Sequence, residues 1–135
     1  MARFRLSDQW RTCKTDIEAY IESLRALHPR VSDFFPRLRE RVRTPARTFF
    51  ARIPEDLYLR SPHLVDNQAN YHPIVPGWYV ATNLSSHDKE RILIQACAIA
   101  DVSYAGEFEI EFNPGHRPVL SKARMDAMWS ELDAL

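Results

Sequence analysis

The chain has 135 residues, 45% of them hydrophobic and 27% charged, with 18 Lys/Arg against 18 Asp/Glu. That length suits one domain with a sizeable core, and no apolar run of about 18 residues is present to cross a bilayer. A net charge of zero argues against a uniformly basic nucleic-acid binder, yet the charges are segregated: residues 1–60 hold thirteen Lys/Arg and eight Asp/Glu, residues 61–135 five and ten.

The opening MARFRLSDQW is basic but has no apolar stretch or cleavage pattern behind it, so it does not read as a secretory leader. Ser7 as an N-cap predicts a short helix over 7–12. A longer helix is predicted over 15–28, where Thr15 and Glu18 form a capping box and Ile17, Tyr20, Ile21, Leu24 and Leu27 keep helical spacing before Pro29. A further helix over 31–43 opens at Ser32 or Asp33 and turns Phe34, Phe35, Leu38 and Val42 inward. Pro36 falls in its first turn, where a missing N–H costs little. The basic excess peaks here: Arg37, Arg39, Arg41, Arg43, Arg47 and Arg52 face only Glu40. Such a stretch is either a basic binding face or an ordinary solvated one.

After a turn at Thr44-Pro45, residues 46–52 (ARTFFAR) read as a strand. Residues 53–73, with their prolines and lack of period, read as a connection holding short extended pieces. A turn at Pro76-Gly77 leads into a strand over 78–82, WYVAT. A helix then follows over 86–100, capped by Ser85 and buried along Ile92, Leu93, Ala96, Cys97 and Ala100. Residues 106–112 (GEFEIEF) alternate strictly, with Phe108, Ile110 and Phe112 on one face and Glu107, Glu109 and Glu111 on the other, which reads as a half-buried strand and not a metal site. Asn113–Pro118 read as a turn. A last helix is predicted over 121–135, with Met125, Met128, Trp129 and Leu132 inward. The expected fold is α+β, with a small antiparallel sheet packed on several helices in a single domain, 1–135.

Chemistry-bearing patterns are scarce. The five histidines form no zinc motif, and three glycines cannot build a phosphate-cradling loop. Cys13 and Cys97 lack disulfide or metal spacing, and Cys97 reads as a small buried hydrophobe. A non-catalytic protein of the reducing cytoplasm is therefore expected, with no cofactor and no metal. What remains is the polar corner Thr82-Asn83-Leu84-Ser85-Ser86 at the mouth of a helix. From the residues alone, helix capping and ligand reading stand level there.

The stretch VPGWYVATNLSSHDKERIL resembles the DNA-binding domain of the SeqA family, bacterial negative modulators of replication initiation. RTPARTFFARIPEDLYLR is similar to that family's arginine-rich turn and the strand after it, and the helix carrying Phe34 and Leu38 matches the one before the turn. The resemblance spans roughly residues 15–100, leaving 101–135 as an additional strand and C-terminal helix. It implies a SeqA C-terminal-domain-like fold that docks in the major groove of double-stranded DNA and senses sequence or adenine methylation. Asn83 falls on a base-reading asparagine, and Ser85 stands where the family has a second one. Arg47 falls on an arginine of the turn, with Pro45 and Ala46 replacing its other two residues; Arg43 and Thr44 would supply equivalent groups after a small shift. Thr82, Ser85, Ser86 and Lys89 complete the expected phosphate or turn contacts. A homodimer or a protein partner is a further expectation. The alternative readings are a protein-interaction module and a targeting subunit of a phage or restriction defence system.

Overall fold

A computed structural model describes residues 1–113. They form an α+β fold with two three-stranded antiparallel sheets and three α-helices. The expected helix over 121–135 and the turn at Asn113–Pro118 beyond its first residue lie outside the described residues.

The chain opens with a β-hairpin, β1 (Ala2–Leu6) and β2 (Gln9–Cys13), where a helix over 7–12 was expected. Alternation explains the outcome: Ala2 and Phe4 are buried while Arg3 and Arg5 point away. Ser7 adopts φ 61 in the turn and donates its N–H to Glu107 O, 2.9 Å away. The residue that looked like a cap is a hairpin corner held by a distant strand. Helix α1 (Asp16–Leu27) follows as the spacing predicts. The Thr15 hydroxyl accepts from Glu18 N at 3.1 Å, and the Glu18 carboxylate accepts from Lys14 N at 3.0 Å. After a 3-10 turn, α2 (Phe34–Val42) begins at Asp33, whose side chain makes no capping bond. Its four apolar side chains, Phe34, Phe35, Leu38 and Val42, are buried as expected.

The predicted strand over 46–52 is cut to β3 (Phe50–Ala51). Residues 44–47 instead close a tight turn, in which Thr44 and Arg47 exchange backbone hydrogen bonds of 2.9 and 3.2 Å. Pro45 favours that turn and cannot donate to a ladder. Three 3-10 turns, Pro54–Leu57, Pro62–Asp66 and Gln68–Asn70, lead to β4 (Tyr71–Val75), which pairs with β5 (Trp78–Ala81) across Pro76-Gly77. Gly77 takes φ +83, a conformation open to glycine at no steric cost. Helix α3 (Ser86–Ile99) leads to β6 (Phe108–Glu111).

The first sheet has the order β2-β1-β6, the second β3-β5-β4. Both turn one face into a common core with the helices: Phe4, Phe108 and Ile110 from the first, Phe50, Ile74, Trp78 and Val80 from the second. Helix α3 packs against α1 and α2 and is buried around most of its girth. The far face of the second sheet carries a smaller cluster, Ala51, Leu57, Tyr58 and Ala81, roofed by the 3-10 turns. That roof places residues 54–66 beside the 44–47 turn.

Candidate nucleic-acid interface

Two separate segments meet on one surface. Arg47 leaves the 44–47 turn and donates from Nη2 to the backbone carbonyl of Asn83 at 2.6 Å. Its guanidinium also lies over the rings of Phe49 at 5.0 Å and Tyr58 at 5.5 Å. The charge is thereby held in one place before any ligand arrives, which reduces the ordering cost of binding. Asn83 is exposed, and its side-chain amide makes no hydrogen bond to any described residue. An amide so placed can donate and accept together, as an adenine edge requires.

The other expected residues divide. Arg43 and Thr44 are exposed on the same surface, Arg43 in a solvent-facing ion pair with Glu40 at 3.1 Å. The Ser85 hydroxyl caps α3, accepting from Asp88 N at 3.0 Å, and Ser86 is half-buried in the first helical turn. Thr82 is half-buried and already bonded within the fold: its hydroxyl donates to Ala69 O and its N–H to Asn70 O, which fastens the corner to the last 3-10 turn. Lys89 is 7% exposed, and its ammonium donates to Leu84 O at 3.1 Å. Burial lowers its pKa. Lys89 braces the corner from below and presents no charge to a ligand.

Sequence reasoning passed over Arg60. It joins Arg43 and Arg47 along a cleft of about 470 Å³ between the 44–48 turn and residues 56–60. A smaller hollow of about 190 Å³, with Asn83 and Tyr58 at its wall, shares Arg47 and Arg60 with that cleft. Arg60 lies in a stretch with no periodicity, so nothing local marked it. Arg91 is structural, donating both Nη groups to Val42 O at 3.3 Å at the end of α2.

The rest of the basic stretch is dispersed. Arg37 pairs with Asp33 and Arg52 lies over Trp78. The glutamates of β6 and the one just before it are ion-pair partners: Glu111 with Arg3, Glu109 with Arg5 and Glu107 with Arg30. Among the described residues no cluster of His, Cys, Asp and Glu is disposed to hold a metal ion. Both cysteines are buried and free, and burial pushes the Cys97 thiol up, which keeps it protonated. No helix among the described residues is long and apolar enough to cross a membrane.

Compared with family models, curated proteins and solved structures, the chain matches none.

Proposed function

We propose that this protein binds double-stranded DNA through the surface joining the 44–48 turn to the 82–86 corner, reading sequence or adenine methylation without catalysis. One observation carries the reading: Arg47 bridges the basic turn to the Asn83 carbonyl at 2.6 Å, so phosphate-binding charge and a free amide share one face. Arg43, Arg47 and Arg60 would meet phosphates, which position a duplex but carry no base information. Asn83 would enter the major groove and bind a base edge. The resemblance to the SeqA family supports the same surface, because its arginine turn and its asparagine corner are the segments brought together here.

The test is a selection from random duplexes, fully methylated, hemimethylated and unmethylated at adenine, followed by isotherms at several salt concentrations. Enrichment of a short site with adenine preference is the expected result. The absence of duplex binding at low salt would remove the reading and leave the corner as a helix cap.

A further inference from the structure

We propose that the arginine cleft accepts a nucleotide extruded from the duplex, and that Leu59 fills the gap it leaves in the base stack. This rests on the DNA-binding reading and adds a ligand chemistry to its surface.

The argument starts from a turn. Ser61 donates its N–H to Tyr58 O at 3.1 Å, which puts Leu59 and Arg60 at the tip of a tight turn. The base of that turn is anchored: Tyr58 is buried, and its hydroxyl donates to Asn70 O at 2.6 Å. Leu59 is 72% exposed, and only Met1 surpasses it among the large apolar side chains described. Leu59 is thus an apolar side chain held out on a braced tip beside arginines. It suits an apolar wedge that enters a base step and partly unstacks it.

The cleft lies directly beside that tip. Contact with a phosphodiester on the outside of a duplex needs only a convex basic surface. A hollow of about 470 Å³ is of the size that takes a small molecule. Its polar lining suits the two ends of a nucleotide. Arg43, Arg47 and Arg60 offer donors to a phosphate, while the Asp56 carboxylate, which makes no hydrogen bond or ion pair to any described residue, is an acceptor-only group. A carboxylate among arginines weakens phosphate binding, so charge alone does not account for it. An exocyclic base amine, on cytosine N4 or adenine N6, is a donor that fits it. Pro45 and Ala46, both exposed at the cleft wall, supply apolar surface for the ring.

The experiment uses the full chain and a preferred duplex carrying 2-aminopurine at each position in turn, paired or mismatched. Single-stranded DNA and a free 5′-mononucleotide are competing arms. Binding should raise 2-aminopurine fluorescence at one position, and a mismatch there should tighten binding by about tenfold or more, since an unpaired base costs less to extrude. Leu59→Ala, at a solvent-exposed position, should abolish the fluorescence rise and the mismatch preference while leaving the salt dependence of duplex binding, which the arginines set, unchanged, and Asp56→Ala should remove the mismatch preference. Competition by the mononucleotide for the fluorescence change would support the cleft as its pocket. Equal affinity for paired and mismatched duplexes with unchanged fluorescence would overturn the extrusion and leave duplex binding standing. A fluorescence rise that survives both substitutions would overturn the assignment to this cleft. Failure to bind any duplex would remove both readings, even if single strands or mononucleotides bind.

Discussion

Asn83 and Ser85 stand two residues apart in the corner, one tied by its backbone carbonyl and the other by its side chain. Their substitutions should therefore fail differently. Asn83→Ala removes an exposed amide with no described partner, so thermal melting should barely change. Binding to a preferred duplex should weaken by about 1–3 kcal/mol, and binding to random duplex much less. Ser85→Ala removes the hydroxyl that accepts from Asp88 N and should cost about 1 kcal/mol of folding stability, with equal effects on both duplexes. Melts and isotherms on both variants check this, and equal losses on both duplexes for Asn83→Ala would remove it as a reader. Lys89→Ala makes a third contrast. It should lower stability, because Leu84 O loses its donor, yet leave the salt dependence of DNA binding unchanged. Lys89 also has a pH signature. Its folded pKa is lowered, so near its ordinary value the unfolded chain binds more protons, and its contribution to stability should rise with pH from the lowered folded pKa up to that value.

Elements depend on partners that lie far along the chain. The open edge of β4 is covered by Arg25 from α1, which donates from Nε to Ile74 O at 2.7 Å and from Nη2 to Pro73 O at 3.1 Å. Arg25→Ala should cost about 1–3 kcal/mol and expose strand carbonyls to other chains, read as a lower melting temperature and as association that grows with concentration. Helix α3 is the axis of the core. Leu93 is fully buried, and Leu93→Ala should cost about 2–5 kcal/mol by denaturant titration. The predicted helices at 15–28, 31–43 and 86–100 agree with α1, α2 and α3, because caps, prolines and apolar spacing are local signals. The hairpin was hidden for an opposite reason. Strand β2 exposes Gln9, Trp10, Arg11 and Thr12 and has no apolar alternation of its own, so its conformation is dictated by β1. Ser7 imitates a helix cap until Glu107, a hundred residues away in sequence, is seen to hold it.

Across the whole molecule the opposite charges of the two halves do not form two opposed faces. Arg3 and Arg5 from the basic half are paired with Glu111 and Glu109 from the acidic half across β1 and β6. The cationic surface that remains beside the corner is smaller than the sequence count suggests. Binding should then depend on a few charges. The double substitution Arg43→Ala with Arg47→Ala should weaken all duplexes alike and flatten the slope of log affinity against log salt by about 1.8. Circular dichroism should accompany the measurement, since Arg47 also ties the turn to the corner. An unchanged slope would place the phosphate contacts elsewhere.

The sequence by itself determined α1, α2 and α3 with their buried stripes, and the caps at Thr15 and Ser85, because each follows from contacts within about four residues. It also singled out Asn83 and Arg47 as residues in need of explanation. Only the tertiary structure decided that there are two sheets, that β6 closes beside β1, that Lys89 is buried and that the Thr82 hydroxyl is taken up by Ala69 O. The same holds for Arg60, which reaches the cleft because the 3-10 turns roof the second sheet and carry it there. Strand pairing and side-chain burial depend on groups brought together across long loops, and no local pattern records which groups those are.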